Sequence, residues 1–171
     1  MKHFFPIIVI SILLLIGVVY GATYFKSATV KRAVTTNGNG GNTPEKTMEG
    51  VKLAGKNSYF FVYNKDNYQR ALDSGKIVML YFYANWCPFC RAEDPIIQEG
   101  FNSLTSDQLI GFRVNYNDDE TDADEKQLAT DFQIPYQHTK VFLEHGKEIA
   151  RFGEAWDRED FDMAVNQILA R

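Results

Sequence analysis

The sequence predicts an α/β fold with a central mixed β-sheet flanked by helices on both faces. Segments with strand and helix character alternate from residue 58 to residue 132. Residues 76–84, "KIVMLYFYA", form a continuous apolar run rich in β-forming residues, as expected for a strand covered on both faces. Residues 139–153 are predicted to form a β-hairpin, and a last helix follows it. The predicted order is β-α-β-α-β-α-β-β-α.

The first elements precede the buried strand. Residues 58–63, "SYFFVY", are aromatic and predict a strand. Asn64 is a suitable N-cap for the helix "KDNYQRALDSG", which Gly75 ends. The later elements are, in order, a helix from Pro88 to Leu104, a strand over 109–116, a helix over 123–132, a hairpin turning at His145-Gly146, and a helix over 157–169 with Asp157 as N-cap.

The N-terminal segment, residues 1–25, is predicted to be a membrane anchor. No charged residue lies between Phe4 and Phe25, and a helix of that length covers ~33 Å, about the thickness of the bilayer's hydrocarbon core. The alternative is a cleaved secretory signal, with a small-residue cleavage site near Val19-Tyr20-Gly21. Either way, the segment directs the following chain to a membrane.

Residues 26–50 are predicted to be a flexible linker, because "TTNGNGGNTPEKT" is rich in Gly, Asn and Thr. Residues 51–171 then form the working domain. We expect a single-pass protein with this domain on the extracytoplasmic side, or a secreted domain if the segment is cleaved. The cations after the apolar run, Lys26, Lys31 and Arg32, outnumber Lys2 and argue for the opposite orientation.

The charge of the domain argues against nucleic acid as a partner. Five of the 18 Lys and Arg residues and two of the 22 Asp and Glu residues precede Gly50, which leaves 13 against 20 in the rest of the chain, a net charge of −7. A nucleic-acid-binding domain is usually basic.

The chain has two cysteines, Cys87 and Cys90, in the motif "WCPFC". A disulfide between them closes a very short loop and adds little stability, so their role is expected to be chemical. A thiol attacks a disulfide as the thiolate, and Cys87 precedes a predicted helix whose N–H groups and dipole favour an anion. We therefore predict that Cys87 is the nucleophile and that Cys90, one turn later and less exposed, resolves the mixed disulfide.

Most of residues 58–171 resemble the thioredoxin family. The similarity rests on "YFYANWCPFC" after a buried strand, Pro95 five residues past the second cysteine, "FQI" before the hairpin, and Gly153 before the last helix. The resemblance implies a thioredoxin-like fold and a redox-active Cys87–Cys90 disulfide without a further cofactor. It also implies protein disulfides or dithiols as substrates and a second redox carrier for recycling. "WCPFC" is similar to the motif of extracytoplasmic, membrane-tethered members.

The residues around the cysteines are assigned supporting roles. Trp86 is expected to pack beneath the motif, and Pro88 and Phe89 to tune the redox potential. Many family members carry a buried aspartate six residues before the first cysteine, as proton acceptor for the second thiol, and this chain has Tyr81 there. A phenol with a pKa near ~10 is a poor base at neutral pH. Tyr81 is thus expected to be a core residue whose hydroxyl finds a partner, and water or another carboxylate to take the proton.

A second difference concerns the cis-proline that family members place before the hairpin strand, facing the cysteines and usually followed by threonine. Ungapped counting puts His138-Thr139 at this position, whereas Pro135 fits only with an insertion after it. His138 is the preferred assignment. As an imidazolium near Cys87 it would stabilise the thiolate and make the pair more oxidising.

The second hypothesis is a metal-binding or metal-delivery module. Cys87, Cys90 and His138 together would supply three of the four ligands of a tetrahedral site. A non-catalytic tethered adaptor is a third possibility.

Overall fold

The computed structural model describes residues 48–171. The predicted anchor and residues 26–47 of the predicted linker lie outside this range. Among the described residues, no helix has the length and apolar character needed to cross a membrane. Glu49, at the end of the predicted linker, accepts a hydrogen bond from Asn67 through its carbonyl.

Six strands and four helices make up the domain. They are β1 (Lys52–Ala54), β2 (Tyr59–Val62), α1 (Lys65–Asp73), β3 (Ile77–Tyr83), α2 (Pro88–Ser103), β4 (Leu109–Asn115), α3 (Ala123–Asp131), β5 (Lys140–Glu144), β6 (Lys147–Phe152) and α4 (Arg158–Leu169). Every strand and helix predicted within residues 58–171 is present. β1 was not predicted, because three residues are too few to show the alternation of a strand.

The strands form one mixed sheet in the order β1-β2-β4-β3-β5-β6. The three central strands, β2, β4 and β3, are parallel. The strands β1, β5 and β6 run antiparallel to their neighbours and flank this centre. The mixed sheet predicted from the sequence is therefore confirmed.

Helices cover both faces of the sheet. Side chains of β3 alternate between two buried clusters, with Met79 and Tyr81 on the face of α2 and α4, and Val78 and Leu80 on the face of α1 and α3. The apolar run of β3 is thus buried on both sides, as its continuous hydrophobicity indicates.

The predicted helix caps are present. Asn64 accepts a hydrogen bond from the Asn67 N–H, and Asp157 accepts one from the Asp160 N–H. Gly100 of α2 lies directly against α4, where an added Cβ would be 2.3 Å from the ring of Phe161. The absence of a side chain at Gly100 therefore lets these two helices pack closely near the C-terminal end of α2.

Candidate active site

The cysteine motif lies at the end of β3, where the chain enters α2. Cys87 is the N-cap of α2 and Pro88 its first residue, where the missing N–H costs nothing. The Cys87 Sγ accepts a hydrogen bond from the Cys90 N–H at 3.4 Å. The sequence thus predicted correctly that Cys87 sits at a helix N-terminus. Both cysteines are free thiols and are almost completely buried.

The two thiols have opposite acidities. Burial by itself raises the pKa of Cys87, but hydrogen bonds from the Cys90 N–H, the Cys90 thiol, the Phe89 N–H and the Gln137 side chain outweigh it and lower the pKa. Burial is the main cause that raises the pKa of Cys90 to about 12, and its proximity to the Cys87 sulfur raises it further. At neutral pH, Cys87 is therefore the more readily ionised thiol and Cys90 keeps its proton.

Trp86 and Phe89 form an exposed aromatic surface beside the thiols. The expectation that Trp86 packs beneath the motif is wrong, since its side chain is 53% exposed and that of Phe89 is 62% exposed. The Trp86 indole N–H donates to the Asn117 carbonyl at 2.9 Å. Asp118 accepts a hydrogen bond from the Asn85 N–H, also at 2.9 Å. The acidic loop after β4, which contains Asn117 and Asp118, thus holds the loop that carries Asn85 and Trp86. Sequence analysis missed this role because the two loops are distant in sequence.

Tyr81 lies in the core below Cys90. Its side chain is fully buried, and its hydroxyl donates to the Cys90 carbonyl at 3.2 Å. This agrees with the expectation of a core residue whose hydroxyl finds a partner. Burial, followed by the negative charge of Glu93, raises the pKa of Tyr81 well above its ordinary value, so the phenol remains protonated.

Charged residues flank Tyr81 on both sides. Lys140 of β5 and Arg113 of β4 are its direct neighbours across the sheet. Lys140 forms an ion pair with Glu93, and Arg113 forms one with Asp94 at 3.0 Å. Two adjacent acids of α2 therefore pair with two bases on either side of Tyr81.

The Glu93–Lys140 pair is the more deeply buried of the two, with side-chain exposures of 1% and 0%. Glu93 Oε1 also accepts the Trp156 N–H at 2.7 Å, and Lys140 Nζ lies 4.4 Å above the Trp156 ring. Glu93 Oε2 is buried and has no hydrogen-bond partner among the described residues. Sequence analysis missed this pair, although a lysine in the apolar stretch "TKVFL" was a signal of it.

His138 lies beside the motif, with its ring centroid 6.1 Å from that of Phe89 and 5.4 Å from that of Tyr136. Its N–H donates to the Phe82 carbonyl at 2.7 Å. Its φ of 53° is left-handed, and residues 48–171 contain no cis peptide bond. His138, the residue favoured by ungapped counting, therefore precedes β5 and pairs with Phe82 of β3, the strand that leads into the motif. The adjacent Thr139 is buried and donates to the Tyr136 carbonyl at 2.9 Å.

The hypothesis of a metal site is not supported. Within residues 48–171, no group of three His, Cys, Asp or Glu side chains has a geometry that could hold a metal ion. Cys87, Cys90 and His138 therefore do not form the three-ligand site considered above. The left-handed backbone at His138 and the aromatic rings on both sides of its imidazole set the position of this side chain.

Comparison with known proteins identifies similar chains among thioredoxins and thiol:disulfide interchange proteins. The family profile Thioredoxin matches residues 59–167. An H-type thioredoxin of Fagopyrum esculentum is 28% identical over 86 residues, which cover 50% of this chain and 67% of that protein. The thiol:disulfide interchange protein DsbE of Yersinia pestis is 28% identical over 109 residues, which cover 54% of this chain and 55% of that protein.

Solved structures show the same fold. Thioredoxin O2 from Arabidopsis thaliana has a TM-score of 0.53 at 20% identity, with 67% of this chain and 98% of that chain covered. A poplar thioredoxin h variant also has a TM-score of 0.53, at 23% identity, with 71% and 90% covered. From the profile match over residues 59–167 and this shared fold, the chain belongs to the thioredoxin family of thiol–disulfide oxidoreductases.

Proposed function

We propose that this chain is a membrane-tethered thiol–disulfide oxidoreductase that acts on protein substrates, with Cys87 as the nucleophile and Cys90 as the resolving thiol. The observation that carries this proposal is the opposite environment of the two thiols. Cys87 is the N-cap of α2, and its Sγ accepts a hydrogen bond from the Cys90 N–H. The Cys90 thiol is buried, and its pKa is raised to about 12. A nucleophile needs an environment that stabilises the thiolate, as at Cys87. A resolving thiol that stays protonated until the mixed disulfide forms fits the environment of Cys90.

The reaction proceeds in two exchanges. The Cys87 thiolate attacks one sulfur of a substrate disulfide, which forms a mixed disulfide and releases the other substrate sulfur as a thiolate. Cys90 then loses its proton and attacks the Cys87 sulfur, which forms the Cys87–Cys90 disulfide and releases the second substrate thiolate. The substrate is reduced by two electrons and the enzyme is oxidised by two. The reverse sequence oxidises a substrate dithiol, and a second redox carrier restores the starting state.

The exposed aromatic surface fits a protein substrate. Trp86, Phe89 and Tyr136 are large hydrophobic side chains that remain exposed near the motif. A substrate segment that covers them would bring its disulfide to Cys87, which has little accessible surface of its own.

Covalent trapping tests the two cysteine roles. The Cys90→Ser variant should accumulate mixed disulfides with substrate proteins, because the Cys87 adduct has no thiol to resolve it. These adducts should disappear under reducing electrophoresis. Cys87→Ser is the matched control and should trap nothing. The opposite pattern, with adducts in Cys87→Ser only, would make Cys90 the nucleophile.

The tether is the part of the proposal that concerns residues 1–25. Its support is the uncharged apolar run from Phe4 to Phe25, which is long enough to cross a bilayer as a helix. We expect the protein to stay in the membrane fraction after alkaline carbonate washing and the domain to be cleaved by protease added outside intact cells. Release of the protein by the wash would show cleavage or peripheral attachment, and protection from the protease would place the domain inside.

A further inference from the structure

We propose that a groove at the end of the linker docks the domain onto the membrane by binding the headgroup of an anionic phospholipid. This linker groove is a cavity of about 680 Å³ between residues 48–52, β2 and the C-terminal half of α1. The proposal goes beyond thiol–disulfide exchange. It rests on the function proposed above in one respect, since the tether is what brings the domain to a bilayer.

The walls of the linker groove are largely apolar. Met48, Tyr59, Phe61 and Ile110 line it, and the ring of Tyr59 is exposed to solvent. Tyrosine is a residue type that favours membrane interfaces, because its ring is apolar and its hydroxyl is polar. The groove therefore suits the boundary between the headgroups and the acyl chains of a bilayer.

The linker groove is positively charged, although the domain is acidic. Lys52, Arg70 and Lys76 line it together with one acid, Asp73. These three cations and one acid give the lining a net charge of +2, whereas the chain from residue 50 onward carries −7. Even with Asp107, which lies 3.4 Å from Lys76, the cations are in excess. The groove thus attracts an anion that the rest of the domain repels.

Two of these cations have no carboxylate partner within residues 48–171. Lys52 Nζ donates to the Gly55 carbonyl at 3.4 Å and lies 5.2 Å from the centre of the Tyr59 ring. Arg70 Nη2 donates to the side-chain oxygen of Asn67 at 3.0 Å. Both partners are neutral, so the two positive charges remain available to a headgroup. A guanidinium binds phosphate with particular strength.

The linker ends in this groove. Asn67 of α1 is buried, and its side-chain amide donates to the Glu49 carbonyl while its oxygen accepts from Arg70. One buried amide thus joins the end of the linker to the arginine of the groove. Residues 26–47 would span about 25 Å as the predicted coil. The groove is therefore the part of the domain that follows the predicted anchor most directly along the chain.

Docking through the groove would set the orientation of the active site. Tyr59 pairs with Ile110 in the sheet, and Ile110 pairs with Val78 near the start of β3. The cysteine motif follows the end of β3. The strand from Val78 to Tyr83, at about 3.3 Å per residue, puts about 16 Å between the level of Tyr59 and that of the motif. A docked domain would hold Cys87 away from the headgroups, where protein substrates can reach it.

Fluorescence in vesicles tests the docking with the full-length chain. Tyr59→Trp places a reporter in the groove, whereas the native Trp86 and Trp156 lie beside the cysteine motif and in the core. Vesicles of equal parts phosphatidylcholine and phosphatidylglycerol, brominated on the acyl chains, should quench the reporter, and pure phosphatidylcholine vesicles should quench it much less. Lys52→Gln/Arg70→Gln should lower the ratio of docked to undocked domain by about 25-fold, at about five-fold per cation.

Two further variants separate position from charge. Lys126→Gln/Lys147→Gln removes two exposed cations outside the groove and should leave the quenching unchanged. Lys52→Arg/Arg70→Lys keeps both charges in the groove and should dock as the native chain does. Quenching that survives Lys52→Gln/Arg70→Gln, or an equal loss in the control that lacks the two outside cations, would overturn the assignment of the groove.

Sedimentation of the same samples with the vesicles reports the anchor separately. A chain that sediments in every variant without quenching of the reporter would overturn the docking and leave the tether standing. Sedimentation that itself requires Lys52 and Arg70 would support the groove and refute the tether. A chain that neither sediments nor is quenched would refute both. A reporter that is shielded from aqueous iodide equally in detergent and in vesicles would assign the groove to the linker or to a second copy, which also overturns the proposal.

Discussion

Lys140→Met should lower the free energy of unfolding by about 3–5 kcal/mol, because it leaves the Glu93 carboxylate buried without its cation. Both side chains of the pair are almost completely inaccessible to water, so solvent cannot replace the lost partner. Lys140 Nζ also donates to the Glu154 carbonyl, and this partly buried acceptor would lose its donor as well. Equilibrium unfolding in urea at pH 7 measures the loss.

Two controls separate this effect from a general sensitivity to losing a lysine. Lys76→Met removes the partner of the more exposed Asp107 and should cost less than about 1 kcal/mol. Glu93→Leu/Lys140→Met removes both charges and should recover most of the lost stability, because an apolar pair can replace a buried ion pair at little cost. If Lys140→Met lowered the free energy of unfolding no more than Lys76→Met, the buried Glu93 carboxylate would not need Lys140 as its counter-charge.

His138→Pro should lower the free energy of unfolding by about 2–4 kcal/mol, although proline is the residue that the family usually places there. The φ of His138 is 53°, whereas the proline ring fixes φ near about −65°. Proline also lacks the N–H that donates to the Phe82 carbonyl at 2.7 Å. The same urea unfolding experiment measures the change.

His138→Gly is the matched control for the backbone. Glycine adopts positive φ without strain and keeps the N–H, so this variant should lose much less stability than His138→Pro. If His138→Pro were as stable as the native chain, the segment before β5 would readily adopt a backbone suited to proline. The left-handed conformation would then not be a requirement of this sequence.

The elements of the fold could be predicted because their signals are local. The apolar run of β3 predicts a strand buried on both faces, and Asn64 and Asp157 identify the helix starts through their own side chains. The position of Cys87 at a helix N-terminus followed from its place between β3 and Pro88. β1 was not predicted, because its three residues are too few to show the alternation of a strand.

The site was less predictable because its contacts join distant parts of the chain. Trp86 is held by Asn117, and Glu93 is held by Lys140, 47 positions away. A tryptophan beside a redox motif is compatible with either burial or exposure, and no local pattern indicates which loop will bind its indole. Lys140 was visible as a cation in an apolar strand, but its partner depended on how α2 crosses the sheet.

The sequence by itself determined the order of elements, the reactive cysteine pair and the absence of the usual acid at Tyr81, and it favoured His138 over Pro135 for the position of the usual proline. Only the tertiary structure decided what surrounds these two positions. It placed Glu93 and Lys140 beside Tyr81, and it gave His138 a left-handed backbone that donates to Phe82. The physical reason is that secondary structure follows from neighbouring residues, whereas the pairing of buried charges depends on the packing of α2 against the sheet.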